Sequence, residues 1–130
     1  MAVAVRIVQL GSARTAGEGL RIGTVRRPPR GVPKSEFASR DYYDVWLPNL
    51  APSAPLMARG RASVDDAEWE AFKHAYRKEM EAPEARHVID TLAALSHSAA
   101  FSVGCYCDNE QHCHRSVLRQ LLVERGARLA

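Results

Sequence analysis

The stretch AAFSVGCYC, residues 99–107, followed by DNEQHCHRSVLRQLL, residues 108–122, decides the fold of this 130-residue chain. Its first part is an apolar run of strand length. Its second part passes through a polar turn into apolar residues three and four apart, a helical spacing that stops at Gly126. We therefore predict a buried strand that leads directly into a helix from about His114 to Arg125.

Segments elsewhere in the chain carry the same two kinds of signal. Three of them have the β-branched or alternating pattern of strands: 3–10, 20–25 and 42–47. Three have helical signals: a single turn near Pro55, a helix whose Ser63 and Asp66 resemble a capping box, and a helix that begins at Pro83. This order predicts an α/β fold in one domain over residues 1–130, a three-layer sandwich with a largely parallel sheet and helices on both faces.

The second predicted helix has an aromatic stripe at helical spacing, in which Trp69, Phe72 and Tyr76 share one face. Such a stripe serves as a ligand platform in some proteins, but it far more often packs into the core. We therefore expect these rings to be core residues.

Composition and cysteine spacing indicate whether the protein is ordered and where it is located. Apolar residues make up 46% of the chain, which excludes general disorder. The three cysteines fall within residues 105–113, too close together for a secreted disulfide framework, and this favours a reducing cytoplasm. No run approaches the roughly 18 apolar residues of a membrane span, and the first residues lack the pattern of a signal peptide. We expect a cytoplasmic protein that does not contact a membrane.

Positive charge is concentrated in one loop. Residues 21–40 contain six Arg or Lys and one acid, although the whole chain has a net charge of only +3. Such a patch predicts an anionic partner, either a small phosphorylated ligand or nucleic acid. The alternative is a solvated loop whose arginines pair with surface acids.

The turn after the 99–107 strand has the composition of an anion site. Ligands bind open parallel sheets at the carboxyl ends of their strands, and a helix N-terminus attracts negative charge there. His112, His114, Arg115 and Ser116 supply donors at that point, and Cys113 would have its thiolate favoured by the helix dipole. We predict an anion cradle here, with a reactive Cys113 as an alternative.

Zinc is the competing interpretation of the same turn. Cys105, Cys107 and Cys113 with His112 or His114 would supply four ligands. However, the spacing is not that of paired C-x₂-C knuckles, and the loop would have to fold back sharply to bring the ligands together. We therefore expect no metal, and keep a zinc-stabilised scaffold as the alternative.

Four motifs together resemble a known family. RRPPRGVPK (26–34), YYDVWLPNLAPS (42–53), DAEWEAFKHAYRKEM (66–80) and CYCDNEQHCHRSVL (105–118) occur in the order seen in YeaO-like proteins, an uncharacterised bacterial family. The resemblance runs from about Arg21 to Leu122 and implies a small cytosolic α/β domain without implying an activity. Some YeaO-like proteins lack cysteines in the last motif, whereas this chain has three.

The family pattern places a Pro-Arg-Gly-x-x-Lys element on residues 29–34. If the first and last strands are parallel, Arg27, Arg30 and Lys34 of this loop would meet the 112–116 turn at one edge of the sheet. Asp44, an acid in an apolar segment, would either pair with an arginine or orient a catalytic histidine. The leading hypothesis is a small phosphorylated ligand at this edge, with any catalysis resting on Cys113, His114 and Asp44.

Overall fold

The computed structural model describes residues 3–130, which form one parallel sheet and four helices. The strands are β1 (Ala4–Gln9), β2 (Leu20–Gly23), β3 (Val45–Trp46) and β4 (Ala100–Cys105). The helices are α1 (Ala54–Ala62), α2 (Asp66–Glu79), α3 (Pro83–Leu95) and α4 (His114–Glu124). All strand pairs are parallel, in the order β1-β4-β2-β3. The predicted α/β sandwich with a parallel sheet is confirmed, but its third layer is formed by loops rather than by helices on the second face.

Strand β4 lies inside the sheet and positions the site. It pairs with β1 over six residues, from Ala4 opposite Ala100 to Gln9 opposite Cys105, and with β2 over four. Because side chains alternate along a strand, Phe101 and Val103 point to the face that the helices cover. The end of β4 therefore opens between two parallel neighbours, at the carboxyl edge of the sheet.

The helical layer covers one face through a continuous apolar core. Strands and helices alike contribute fully buried residues to it, among them Val5, Phe101 and Val103 from the sheet, and Tyr76, Ile89, Leu118 and Leu122 from the helices. Burial of each such side chain stabilises the fold by roughly 1.5–3 kcal/mol. The aromatic stripe of α2 belongs to this core, as its spacing predicts.

The opposite face is covered by loops and a 3₁₀ turn at Lys34–Glu36. Arg21 and Glu18 are buried there, and Glu18 also accepts a hydrogen bond of 2.7 Å from the hydroxyl of Ser102 on β4. Tyr43 lies directly over Gly23 of β2, where a Cβ would collide with its ring. Charge and an aromatic ring, rather than a second helical core, thus close this layer.

Helix α1 is longer than the sequence indicates. A single turn is predicted near Pro55, but the helix runs for nine residues. Ser53 caps it, since its hydroxyl accepts from the N–H of Leu56 at 3.4 Å, and Glu79 of α2 holds Ser53 in place. Leu56 is the one residue of α1 that is fully buried, so the helix has almost no apolar periodicity to recognise.

The predicted capping box of α2 is wrong by two residues. Asp65, not Ser63, is the N-cap, and its carboxylate accepts from the N–H of Glu68 at 2.8 Å. Glu68 in turn accepts from the N–H of Val64 at 3.0 Å. Glu68 thus occupies the N3 position that a capping box prefers, but it bonds the residue before the N-cap, and Ser63 instead ends α1.

The predicted core strand over 42–47 is also wrong. Only Val45 and Trp46 pair with β2, and both are exposed at the edge of the sheet. The chain before them is held in turns, with Asp41 at a φ of 65°. Trp46 faces solvent on one side and donates through Nε1 to the carbonyl of Val25 at 2.7 Å.

Gly19 allows the loop to approach β4 closely, which gives a stability prediction. Its φ is +80°, and a Cβ there would collide with the carbonyl oxygen of Ala100. Gly31 has a similar φ of +75° but open space around it. We expect Gly31→Ala to cost about 1 kcal/mol, from backbone strain alone. Gly19→Ala should cost roughly 1–3 kcal/mol more, from overpacking. Urea unfolding of both variants measures this, and equal losses would contradict the close approach.

None of the helices within residues 3–130 is long and apolar enough to cross a membrane.

Candidate functional site

The loop between β4 and α4 folds back on itself, so that Cys113 lies against Cys105. Asn109 starts a 3₁₀ turn by accepting, through Oδ1, a hydrogen bond of 3.0 Å from a backbone N–H within the turn. The Cys113 N–H donates to the carbonyl of Glu110 at 3.1 Å. Arg119 of α4 grips the carboxylate of Glu110 with hydrogen bonds of 2.6 and 2.8 Å. A capped turn and an ion pair thus supply the sharp return that the sequence did not favour.

The two cysteines brought together by this return are buried and in direct contact. Each is 2% exposed, and their Sγ atoms touch, while their Cα atoms are 7.9 Å apart. That Cα separation is larger than the roughly 4.4–6.8 Å typical of disulfides. Cys107, two residues after β4 ends, is instead exposed. The predicted strand over 99–107 includes Cys107, but β4 ends at Cys105 and Cys107 departs from it.

His114 is the first residue of α4 and lies beside Cys113. Its Nε2 is 2.9 Å from the carbonyl oxygen of Thr24, which can only accept, so Nε2 carries the proton. The unprotonated Nδ1 is then 3.8 Å from Cys113 Sγ. Burial lowers the pKa of His114 to about 4, although the bond to Thr24 raises it and Arg115 lowers it further. The imidazole is therefore neutral at pH 7, with one lone pair turned towards the thiols.

A cavity of about 410 Å³ opens next to these three residues. It lies between the loop after β2, helices α1 and α2, and the loop after β4. Its volume is within the roughly 300–1,000 Å³ typical of small-molecule sites. The charged and aromatic side chains that line it are Arg26, Arg27, Arg61, Trp69, Phe72, Tyr106, His112 and His114.

The charge of the cavity is of one sign. Within residues 3–130, three arginines line it and no carboxylate does. Arg26 donates hydrogen bonds to the carbonyls of Pro52 and Ala51, at 3.1 and 3.2 Å. Arg27 and Arg61 are exposed and have no ion-pair partner in the described part of the chain. Two guanidinium groups at the cavity are thus free to bind an anion.

One wall of the cavity is aromatic. The ring of Trp69 stacks on Phe72, with centroids 4.7 Å apart, and lies 5.2 Å from the ring of His112. Trp69 is therefore both a core residue and part of the cavity wall, a dual role that its helical spacing alone does not reveal. This wall gives the cavity an apolar side, against which the uncharged part of a ligand can lie.

A second cleft of about 440 Å³ lies between α2 and α4. Its walls carry both signs of charge, and Arg77 there is already paired with Glu124 at 2.7 Å. It contains no thiol. The cavity beside Cys113 is therefore the better candidate site.

Of the residues predicted for the anion site, Arg27, His112, Cys113 and His114 line this cavity, as do Cys105 and Cys107 of the zinc alternative. Arg115 and Ser116 do not line it. Arg115 is buried and donates to the carbonyl of Cys107 at 2.6 Å, while its Nε has no partner. Ser116 donates to the carbonyl of Cys113 at 3.0 Å. These two residues hold the loop rather than face the cavity.

Arg30 and Lys34 do not line the cavity either. Both are exposed, further along the loop that follows β2. The basic residues of the 21–40 loop also point in different directions in the structure. Arg21 points into the interior, and Arg40 lies within 3.9 Å of Glu36. The predicted meeting of this loop with the 112–116 turn is therefore wrong for Arg30 and Lys34, and from the 21–40 loop the basic residues that line the cavity are Arg26 and Arg27.

Asp44 lies on the other side of the sheet and does not orient a histidine. Its carboxylate pairs with Arg14 at 2.9 Å and accepts from the backbone N–H of Arg21 at 2.8 Å. Burial raises the pKa of Asp44, but these hydrogen bonds outweigh it and the net shift is downward. Of the two roles considered for Asp44, pairing with an arginine is the one that the structure contains.

Sequence reasoning missed Arg26 and Arg61 as parts of the cavity wall. Arg61 lies in α1, a helix that was not predicted at its full length. Its only sequence signal is the two arginines of MARGRA, residues 57–62, a segment that itself contains no acid.

One family model, described as the active DUF488-N3 subclade, matches residues 5–126. YeaO is a DUF488 protein, so the match confirms the resemblance found in the sequence. No curated protein and no solved structure matches the chain.

Proposed function

The chain belongs to the DUF488-N3a family, the active DUF488-N3 subclade, a membership that names no ligand, and we propose that it binds a small phosphorylated ligand in the cavity beside Cys113. The ligand's phosphate would lie between Arg27 and Arg61, and its uncharged part would lie against the aromatic wall formed by Trp69 and Phe72. Cys113 and His114 would supply the reactive groups. We also propose a cytoplasmic location, because closely spaced cysteines suit a reducing compartment.

One observation carries this proposal: the cavity contains unpaired arginines and no carboxylate within the described residues 3–130. A guanidinium binds phosphate through two parallel hydrogen bonds, with geometric specificity that a lysine lacks. Elsewhere in the fold, arginines such as Arg14, Arg77 and Arg119 are paired with acids. Arginines left unpaired around a cavity therefore favour an anionic occupant.

Nucleic acid is the second candidate ligand, and the structure weakens the argument for it. It rested on six basic residues in the 21–40 loop, of which Arg21 is buried and Arg40 is near Glu36. The loop aromatics are also occupied, since Phe37 packs edge-on against Tyr43 at 5.3 Å. Few rings remain on which bases could stack.

Calorimetric titration of the wild-type protein tests the proposal. We expect a nucleoside 5′-monophosphate to bind more tightly than inorganic phosphate, and the uncharged nucleoside to bind far more weakly than either. At about 10 mM ionic strength, screening does not hide a charge-driven contact. No binding of either phosphate at this ionic strength would overturn the proposal. Tighter, steeply salt-dependent binding of a single-stranded oligonucleotide would favour the nucleic-acid alternative instead.

A further inference from the structure

Three metal-binding side chains converge at the buried end of the cavity. The Sγ atoms of Cys105 and Cys113 and a ring nitrogen of His114 all lie within 4.8 Å of one another. Cys105 ends β4 and His114 begins α4, so rigid elements hold two of the three ligands. The sequence-based objection to a metal was the sharp return of the loop, and the capped turn at Glu110 provides that return.

We propose that Cys105, Cys113 and His114 bind one zinc ion and leave its fourth position open to the cavity. Two thiolates and one imidazole with an open position are a ligand set found in catalytic zinc sites. The inference rests on the proposed function in one respect only, since the open position would face the phosphorylated ligand. The three ligands themselves are argued from geometry.

The orientation of His114 supports a metal. A metal-bound histidine commonly donates its other N–H to a carbonyl, which fixes the ring and the tautomer. Here Nε2–H donates to Thr24 at 2.9 Å, and Nδ1 faces Cys113 Sγ at 3.8 Å. Zinc bond lengths of about 2.3 Å to sulfur and 2.1 Å to nitrogen place the two ligand atoms about 3.6 Å apart in a tetrahedral site. The ring is therefore already in a ligating position.

The backbone separation of the cysteines is wide for a disulfide and is compatible with a metal site. Their Cα atoms are 7.9 Å apart, beyond the usual disulfide limit of about 6.8 Å. Zinc bound to both cysteines would need the two sulfurs about 3.8 Å apart. The side chains must therefore turn away from their present contact, and the wide backbone separation leaves room for that.

Charge balance also suits this buried position. Binding converts each thiol to a thiolate, and the two protons leave for solvent. Two thiolates and a neutral imidazole then cancel the charge of a divalent cation, so the buried site has no net charge. Cys107 is exposed and lies outside the group of three. It is the matched control, a cysteine of the same loop that does not belong to the ligand set.

The test uses untagged protein purified under reducing conditions, with metal content measured by plasma mass spectrometry. Cobalt(II) titration of the metal-free protein then reports thiolate ligation through a ligand-to-metal charge-transfer band. We expect about one zinc per chain and a charge-transfer band that saturates at one cobalt per chain. Cys107→Ser should keep both, whereas Cys113→Ser should lose both.

Two results would overturn the metal site: wild-type protein without bound zinc and without a cobalt charge-transfer band, or equal loss in Cys107→Ser and Cys113→Ser. If Cys113→Ser fails to fold, the wild-type titration and the Cys107→Ser control still decide. Phosphate titration of the metal-free protein is measured separately. Phosphate binding without metal binding would remove only this inference, and the reverse result would remove only the proposed function.

Discussion

Replacing Arg21 by methionine is expected to lower the free energy of unfolding by about 3–5 kcal/mol, because it leaves a buried carboxylate without its cation. The side chains of Arg21 and Glu18 are 0% and 2% exposed, and hydrogen bonds of 2.7 and 3.0 Å join them. Arg21 also donates to the carbonyls of Ser12 and Asp41, at 2.8 and 2.7 Å. It therefore ties two loops to the sheet. Urea unfolding followed by circular dichroism measures the loss.

Arg14→Met is the matched control for this prediction. Arg14 pairs with Asp44 at 2.9 Å, but its side chain is 26% exposed, and such pairs contribute less than about 1 kcal/mol. Similar losses of unfolding free energy in the two variants would show that the buried ion pair contributes no more to stability than the partly exposed one. If Arg21→Met does not fold, the double variant Arg21→Met/Glu18→Leu is expected to fold, because both charges are then gone.

The same ion pair makes stability depend on pH. Burial by itself raises the pKa of Glu18, but hydrogen bonds from Arg21, Ser102 and the Thr15 backbone lower it from 4.5 to about 2. The Glu18 carboxylate therefore takes up a proton more readily in the unfolded chain than in the folded protein. Its contribution to the free energy of unfolding is complete at pH values above the unfolded pKa. It is lost as the pH falls from about 4.5 towards 2, and amounts to roughly 3 kcal/mol. Glu18→Gln should flatten the stability profile in that window, and an unchanged slope would contradict the assignment.

The double variant Arg27→Gln/Arg61→Gln is expected to weaken nucleoside monophosphate binding by about a hundredfold or more. Each guanidinium at the cavity would make charge-assisted hydrogen bonds, which contribute about 1.5–3 kcal/mol, and about 1.4 kcal/mol corresponds to a factor of ten. Both side chains are exposed and unpaired in residues 3–130, so the fold should tolerate the change. Calorimetric titration gives the affinity.

The double variant Arg30→Gln/Lys34→Gln is the control, because it also removes two positive charges from the protein, but at other positions. Both residues lie outside the cavity, so we expect a loss of less than about threefold at physiological ionic strength, where distant charges are screened. Equal losses in the two double variants would mean that the charge of the surface attracts the anion. The cavity would then have no specific role.

The sequence predicts the elements whose signals are local. The apolar runs of β1 and β4 and the periodic apolar residues of α2, α3 and α4 appear in the structure close to their expected positions. Pro83 begins α3 as its position predicts, and Gly126 follows the end of α4 with a φ of +86°. The confirmed parallel sheet follows from the alternation of these strands and helices.

Elements that depend on distant contacts could not be predicted in this way. Arg21 reads as one of six charges on a basic loop, yet it is buried against Glu18, which in turn binds Ser102 more than eighty positions away. Helix α1 is stabilised by its cap and by Glu79 of the next helix rather than by its own apolar face. Sequence patterns contain no signal for such pairings.

The residues of the candidate site fall into the same two groups, those with a local sequence signal and those that depend on distant contacts. Cys113, His114, His112 and Arg27 were identified because they cluster in short segments beside a strand or a helix start. Arg61 was missed because it comes from α1, and the rings on α2 were assigned to the core because spacing does not distinguish a core ring from a cavity wall. Cys105 was considered, but its contact with Cys113 depends on the capped turn between them.

The location of a bound anion tests the central claim most directly. A crystal of the reduced protein soaked in tungstate, a heavy phosphate mimic, reveals the anion by its anomalous scattering. We expect one strong peak inside the cavity, between the guanidinium groups of Arg27 and Arg61 and beside His114. Peaks confined to the outer loop at Arg30 and Lys34, with an empty cavity, would contradict the proposed site.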